Sequence, residues 1–246
     1  MKRFEEYCQS EIRSLISHLK DYDRQGKAEA LHQVRVDIKR IKSIHSVING
    51  CVKGFKAHRS FMPFRNIFRK AGRIRDRDVL GRLLEQYNVD ERADDLMPGN
   101  AKRKVAAFRS GIPRMIDGVR KCAPGLIVFS KKVHHNDFRS YVVNKKKEVR
   151  SQLYPRPNMA IIHKVRKGIK EILYLSELGN GSTKRESKFY ENMQDVIGGF
   201  HDKQVLLELL MKKSVSANSA QLRLIRSDCL ADKKEIFRLA ANFYKK

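Results

Sequence analysis

The chain has 246 residues, and its 53 Lys and Arg against 27 Asp and Glu give a formal net charge of +26. Hydrophobic residues make up 41% of the sequence, which is enough to build a core and excludes a disordered basic tail. Self-repulsion at this charge destabilises a compact protein, so we expect the protein to bind a dense polyanion.

Several classes of protein are excluded by simple patterns. No Cys-x-x-Cys pair exists among the four cysteines, which argues against zinc knuckles and redox motifs and favours free thiols in a reducing cytosol. No stretch approaches the roughly eighteen apolar residues of a membrane span. Residues 1–6 are not followed by the apolar run of a signal peptide. We therefore expect a cytoplasmic protein with no membrane partner.

The first half of the sequence has the period of amphipathic helices. Apolar residues at spacings of 3 and 4 predict helices over roughly residues 2–23, 28–52, 63–87 and 101–121. Pro63 suits the first turn of the third helix. Residues 90–100 contain Asp, Pro and Gly and predict a loop. The fourth helix is expected to end near Cys122, and Pro124-Gly125 marks the boundary between the halves.

The second half repeats this scheme. Four further helices are predicted over about residues 129–153, 158–178, 184–213 and 218–245. Asn180-Gly181 ends one of them, and Ser182 or Thr183 is a candidate cap for the next. The short apolar run at 126–129 is the single candidate for a strand. The sequence thus predicts an all-α fold of eight helices in two four-helix halves, residues 1–122 and 126–246.

The two halves also share sequence motifs. The pattern His-x-x-Arg-x-x-x-Lys occurs at residues 32–39 and again at 163–170, an offset of 131. A second block at 72–80 matches residues 198–206. Residues 1–122 hold 28 Lys and Arg against 15 Asp and Glu, and the remainder holds 25 against 12, so each half carries +13. An internal repeat of this length favours two related bundles over a solenoid.

Basic residues form stripes along the predicted helices. On the second helix they are spaced 3, 4 and 3 apart, and they are His32, Arg35, Lys39 and Lys42. The corresponding stripe on the sixth helix consists of His163, Arg166 and Lys170. The third helix carries a row at intervals of four, Arg65, Arg69, Arg73 and Arg77. Each stripe borders the apolar face, and because like charges one turn apart repel, the rows predict an anion-binding surface.

The residue types in these stripes suit phosphate. Arginine presents a planar fork to two phosphate oxygens, and lysine supplies a compact point charge. A phosphate beside His32 or His163 raises the histidine pKa, so binding should strengthen below pH 7. The alternative for each histidine is a half-buried ring bonded to a neighbouring helix. Asp76 and Asp202 lie among these cations and are expected to brace an arginine or cap a helix.

These residues resemble the conserved histidine α-helical domain, known as CHAD. The resemblance rests on His-x-x-Arg-Val-x-x-Lys-Arg-x-Lys at 32–42, on Gly-Arg-x-Arg-Asp-x-Asp-Val-Leu at 72–80, and on their copies at 163–174 and 193–206. It covers nearly the whole chain as a single domain over residues 1–246. It implies two four-helix bundles related by a pseudo-twofold axis around a basic central groove or pore. It also implies binding of long-chain inorganic polyphosphate and association with polyphosphate granules.

The resemblance also implies binding residues. In the first half the basic positions of the family fall on His32, Arg35, Lys39, Arg40, Lys42, Arg73 and Arg75. In the second half they fall on His163, Arg166, Lys167, Lys170 and His201. We expect these residues, together with Arg69 and Arg77 of the third-helix row, to bind polyphosphate. The second half departs from the first, because Glu191, Asp195 and Gly199 stand where the first half has Arg65, Arg69 and Arg73. We therefore expect weaker binding by the second half.

Three other functions compete with polyphosphate binding. The charge permits a general nucleic-acid or polyanion binder, and nonspecific nucleic-acid binding is expected at low salt, but aromatic residues are sparse in the stripes and Trp is absent. An enzyme is not expected, because the chain lacks a Walker loop, His-Glu-x-x-His and the Glu-x-Glu-x-Lys strands of triphosphate tunnel enzymes. Enzymes of polyphosphate metabolism remain candidate partners.

The third competing function is metal binding through histidines, and no metal or cofactor is expected. The adjacent pair His134-His135 points about 100° apart on a helix, which does not suit a shared metal ion.

Overall fold

A computed structural model describes residues 2–97, 99–153, 158–176, 178, 184–212 and 219–242. Within these ranges the fold is all-α, as predicted, with ten helices and no strand. The helices are α1 Lys2–Gln25, α2 Ala28–Cys51, α3 Ala57–Gln86, α4 Ala93–Leu96, α5 Ala101–Ser110, α6 Ile112–Lys131, α7 His135–Leu153, α8 Met159–Ser176, α9 Lys184–Lys212 and α10 Ser219–Asn242. None of the helices in the described ranges has the length and apolar character that a bilayer crossing requires.

The chain divides into two compact units. Unit 1 comprises the described residues of Met1–Asp76, Asn100–Val143 and Glu177–Gly179. Unit 2 comprises those of Arg77–Gly99, Asn144–Ser176 and Asn180–Lys246.

In unit 1, α1 packs against α2 and α6. Six apolar residues of α1 recur at helical spacing and are buried, and they are Phe4, Cys8, Ile12, Leu15, Leu19 and Tyr22. The helix ends at Gly26, whose positive φ of 65° places the chain in the left-handed region where glycine is favoured. Its N–H donates to the Tyr22 carbonyl at 2.8 Å, and α2 begins two residues later.

Polar side chains also join α1 to α2. Asp37 is 1% exposed, accepts a hydrogen bond from Ser14 Oγ at 3.1 Å, and lies 2.7 Å from Nδ1 of His18. Burial raises the pKa of Asp37, and His18 acts in the opposite direction. One turn away, Arg40 Nη1 lies 3.5 Å from Oε1 of the buried Glu11. Without these partners the buried carboxylates of Asp37 and Glu11 would destabilise the interface.

The start of α3 differs from the prediction, because the helix begins at Ala57 and Pro63 lies inside it. The reason is an aromatic cluster around the buried His45. Its ring lies 5.1 to 5.6 Å, centroid to centroid, from Phe55, Phe61 and Phe64. His45 Nε2 is also 3.2 Å from Ser60 Oγ, so the residues before Pro63 are held in place by tertiary contacts that the local sequence does not reveal.

The predicted fourth helix is also wrong in its bounds. It divides into α5 and α6 at Gly111, because Pro113 lacks a donor N–H and fits the first turn of a new helix. Helix α6 then continues through Pro124 and Gly125 to Lys131, so the expected helix end near Cys122 is wrong. Its continuation buries Ala123 and Leu126, and the candidate strand at 126–129 is helical. Consequently α7 begins at His135 instead of 129.

The expected loop at 90–100 contains the short helix α4, and the described residues form ten helices instead of the expected eight. Leu96 of α4 is buried in the core of unit 2. Asn100 then caps α5, where its Oδ1 accepts a hydrogen bond from the Arg103 N–H at 3.0 Å.

In unit 2, α9 packs against α8 and α10. The core includes Val165, Ile169 and Ile172 of α8 and the final turns of α3. Tyr87 follows α3 and donates a hydrogen bond to Asp228 Oδ2 of α10 at 2.6 Å. The bounds of α8, α9 and α10 lie within about three residues of the predicted ones. The predicted stop and caps at residues 180–183 lie outside the described residues.

Candidate functional site

The basic stripe of α2 borders the core of unit 1, as its spacing predicts. Leu31, Val34 and Ile38 are buried. His32, Arg35 and Lys39 lie between them and the solvent and are half-buried, whereas Lys42 is exposed. The stripe therefore presents cations whose positions are restricted by packing.

Arg35 lies across a glycine of α3. A Cβ placed on Gly72 would overlap Nη1 of Arg35. The Cζ atom of Arg35 is 4.6 Å from the centroid of the Phe68 ring, and Nη2 is 3.9 Å from Oδ1 of Asp76. The aromatic ring and the carboxylate hold the guanidinium in place, and Asp76 has the bracing position that the sequence predicted.

Arg166 makes the same kind of contact in unit 2. A Cβ placed on Gly198 would overlap Nη2 of Arg166, and it would lie 3.1 Å from Cζ. Arg166 Nε also donates a hydrogen bond to the Gln194 carbonyl at 3.3 Å. Gly72 and Gly198 occupy the same place in the two sequence blocks, so the arginine of each His-x-x-Arg pattern rests on the glycine of its own unit.

The contacts of Arg35 with Gly72 and of Arg166 with Gly198 were not predicted from the sequence. Gly72 is interpretable there only as a weak point in a helix, because glycine destabilises a helix interior by about 1 kcal/mol relative to alanine. The signal that could have revealed the contact is the recurrence of glycine at the same place in both blocks. Each glycine provides space for an arginine from the neighbouring helix.

His32 belongs to the same cationic surface as Arg75 of α3. Burial lowers the pKa of His32, and the charges of Arg75, Lys39 and Arg35 lower it further, while Glu29 raises it. The lowered pKa favours the neutral imidazole when no anion is bound. The predicted rise of this pKa beside phosphate stays a prediction.

Unit 2 has two histidines at the corresponding positions. The rings of His163 on α8 and His201 on α9 lie 5.5 Å apart, centroid to centroid, and both residues are exposed. The pKa of His163 is lowered by partial burial first, and then by four cationic or protonatable neighbours, Lys167, His201, Arg166 and Lys170. His201 stands in the second block where the first block has Arg75.

The arginine row of α3 divides into two parts. Arg65, Arg69 and Arg73 are exposed, as an anion-binding row requires. Arg77 is only 7% exposed, and its guanidinium donates to the Asp94 carboxylate and to the carbonyls of Met97 and Gly99. Arg77 thus holds the segment that follows α3, and its expected role as a phosphate ligand has no support in its geometry.

Arg40 also departs from its expected surroundings, and the second-block counterpart of Arg77 has an internal partner as well. Arg40 was expected to bind the ligand, but its guanidinium is directed towards Glu11 of α1. Lys203, which occupies the place of Arg77 in the second block, forms an ion pair with Asp232 of α10 at 2.7 Å. In both blocks this position serves the packing of unit 2.

The acidic replacements in the second half are at the surface. Glu191 and Asp195 are exposed on α9, and Asp195 Oδ1 accepts a hydrogen bond from Gln194 Nε2 at 2.8 Å. Lys167 is exposed and Lys170 is half-buried on α8. Unit 1 therefore presents exposed arginines at positions where unit 2 presents carboxylates. In the described part of the chain, no three His, Cys, Asp or Glu side chains are grouped as metal ligands.

Comparison with known families gives a match to the first part of the chain. A protein-family model described as "CHAD domain" matches residues 6–115. The matched range contains α2 and the arginine row of α3, and hence the first copy of both sequence motifs. No curated protein matches the chain.

Proposed function

Through residues 6–115 the chain belongs to the CHAD domain family, and on this premise we propose that it binds long-chain inorganic polyphosphate without converting it. The observation that carries the proposal is the joining of two basic rows in unit 1. Arg35 of α2 rests on Gly72 of α3, and His32 lies close enough to Arg75 for that charge to lower its pKa. The half-buried stripe of α2 thus continues into the exposed row of α3.

This arrangement suits a linear polyanion. Polyphosphate carries about one negative charge per phosphate and has no bases to be recognised. Successive arginines four residues apart on α3 are separated by about 6 Å along the helix axis, so they offer repeated charge in one direction. Such a ligand needs rows of cations and no closed pocket.

The positions of the side chains reduce the set of residues that we propose to bind phosphate. Cations at the surface are retained, and in unit 1 they are His32, Arg35, Lys39, Lys42, Arg69, Arg73 and Arg75. In unit 2 they are His163, Arg166, Lys167, Lys170 and His201. Arg40 and Arg77 are omitted, because their guanidinium groups are directed at internal partners. We propose that unit 1 provides the larger share of the affinity.

Other expectations stay predictions. They are the pseudo-twofold arrangement with a central groove, association with polyphosphate granules in the cytoplasm, and partnership with enzymes of polyphosphate metabolism. The alternative function, general binding of nucleic acids or other polyanions, would use the same cations. Competition between polyphosphate and single-stranded DNA distinguishes the two functions.

A pair of charge-matched double variants tests the proposed surface. We expect Arg69→Ala with Arg73→Ala to weaken binding of labelled polyphosphate at least tenfold, since hydrogen bonds to charged groups contribute about 1.5–3 kcal/mol each. The control, Arg114→Ala with Lys121→Ala, removes the same charge from exposed positions on α6. Equal weakening by both variants would contradict the assigned surface, because only net charge would then matter.

A further inference from the structure

The two units differ in one element of their basic surfaces. In unit 1 the histidine of the first motif is accompanied by Arg75, which is charged at every physiological pH. In unit 2 the corresponding histidine, His163, is accompanied by His201, with 5.5 Å between the ring centroids. A permanent charge in one unit is therefore replaced by a group that can be neutral in the other.

The surroundings of this histidine pair are cationic. His163 interacts electrostatically with Lys167, Arg166 and Lys170 of α8 and with His201 of α9. Partial burial and then these neighbours lower the pKa of His163. The surface around the pair thus suits an anion, and the lowered pKa of His163 disfavours its charged form while no anion is bound.

Most acids of the elements that pack nearby contact other residues. Glu148 of α7 pairs with Lys145 at 2.8 Å and with Lys164 at 3.5 Å. Glu171 of α8 lies 3.9 Å from Lys145. On α10, Asp228 accepts the Tyr87 hydroxyl and Asp232 pairs with Lys203. On α9, Asp195 is bonded to Gln194, while Glu191 is exposed two turns or more before His201 and Asp202 is half-buried beside it.

We propose that the His163–His201 pair makes the polyphosphate-binding surface of unit 2 proton-dependent, so that this unit contributes strongly only when phosphate binding is accompanied by proton uptake. The inference rests on the proposed function. Phosphate oxygens stabilise the imidazolium form, so the histidine pKa is higher in the complex than in the free protein. Between these two values, binding takes up protons and becomes stronger as the pH falls.

The sign of the effect is fixed by linkage. Above the pKa of the complex the pair is neutral with and without ligand, and affinity is low and constant. Below the pKa of the free protein the pair is charged in both states, and affinity is high and constant. Between these two pKa values, affinity increases as the pH falls, by up to about tenfold per pH unit for each proton taken up. Unit 1 has the single titrating group His32 at this place, because Arg75 keeps its charge.

The experiment is calorimetric titration with long-chain polyphosphate between pH 6 and 8.5, in buffers of different ionisation enthalpy that reveal the number of protons taken up. The wild-type protein is compared with His201→Arg, which gives unit 2 the pairing that unit 1 has. The control, His134→Arg, adds the same charge at another exposed histidine. Circular dichroism at each pH verifies that the variants are folded.

We expect His201→Arg to bind several-fold tighter than the wild type at pH 8, and to take up fewer protons on binding. A second variant, His201→Gln, cannot become charged at this position. It should bind weakly at pH 8, and its affinity should increase less than that of the wild type when the pH is lowered to 6. The control should keep the wild-type pH profile.

The outcomes separate the two claims. If the wild type binds polyphosphate but its pH profile is the same in His201→Arg and in His201→Gln, the histidine pair has no such role and the proposed function stands. If the wild type binds no polyphosphate at any pH, the proposed function fails and this inference fails with it.

Discussion

The guanidinium of Arg35 lies against Gly72, in the space where any other residue would place its Cβ. Arg166 occupies the same space at Gly198. The arginine of the His-x-x-Arg pattern therefore has two roles in each unit: it presents a cation near the surface, and it is positioned by the neighbouring helix. The glycine and the arginine depend on each other, which makes the glycine a sensitive place to test the site.

Replacement of Gly72 by alanine should separate stability from binding. Alanine in a helix interior normally stabilises a protein by about 0.5–1 kcal/mol relative to glycine. At Gly72 the new Cβ displaces the flexible end of Arg35, so we expect a smaller gain in stability and weaker polyphosphate binding. Gly81, in the same helix and with nothing within 4 Å of its Cβ position, is the matched control.

Gly81→Ala should give the full gain in the free energy of unfolding and leave polyphosphate binding unchanged. Urea denaturation and a binding titration on both variants check this prediction. Identical behaviour of the two variants would mean that the contact between Arg35 and Gly72 has no role in binding.

Arg73 and Arg77 are one turn apart, but their substitution by alanine should affect different properties, binding for Arg73 and stability for Arg77. Arg73 is exposed, so Arg73→Ala should weaken polyphosphate binding and change the free energy of unfolding by no more than about 0.5 kcal/mol. Arg77 is buried and holds Asp94 and two carbonyls, so Arg77→Ala should lower the free energy of unfolding by about 2–3 kcal/mol. At a temperature where it is folded, Arg77→Ala should bind as the wild type does. Loss of binding without loss of stability in Arg77→Ala would contradict its structural role.

The acidic substitution on α9 should limit binding by unit 2. Glu191→Arg provides the residue that unit 1 has at Arg65, so it should strengthen polyphosphate binding. The slope of log affinity against log salt should become steeper by about 0.7–0.9 for one more neutralised phosphate, by analogy with nucleic acids. Glu208→Arg makes the same change in net charge at another exposed position of α9, and it should leave the slope nearly unchanged. The salt dependence of binding by both variants measures the difference.

The buried His45 should make stability depend on pH. Burial lowers its pKa, while the Ile41 carbonyl and Ser60 act in the opposite direction. Because the folded-state pKa lies below the unfolded value of about 6.5, protonation favours the unfolded state. The contribution of His45 is complete above pH 6.5 and is lost as the pH falls below it, by at most about 1.4 kcal/mol per pH unit. Denaturation at pH 7 and pH 5 should show a smaller difference for His45→Gln than for the wild type, and an equal difference would argue against this origin.

Sequence periodicity was sufficient for some parts of the fold. The bounds of α1 and α2 agree with the predicted ones within about two residues, because the apolar stripe of each helix is continuous and is buried as a whole. The half-buried position of the α2 stripe also follows from spacing alone, since residues 3 and 4 apart share one side of a helix.

Other features depend on contacts between distant residues and could not be predicted locally. Helix α3 begins before Pro63 because the cluster around His45 holds its first turns. Helix α6 continues through Pro124 because the residues on either side of it are buried. Arg77 has the spacing of the exposed row, and its burial arises only when the segment containing Asp94 folds against it. Spacing identifies residues that share a helix side, whereas their partners are set by tertiary structure.

The central claim is tested most directly by binding of labelled long-chain polyphosphate at about 0.15 M salt, where surface charges are screened beyond about 8 Å, with single-stranded DNA of equal total charge as the competitor. We predict tight binding that the DNA does not displace, because the basic rows offer cations and few aromatic platforms for bases. Equal displacement by the DNA would contradict it and would identify the protein as a general polyanion binder.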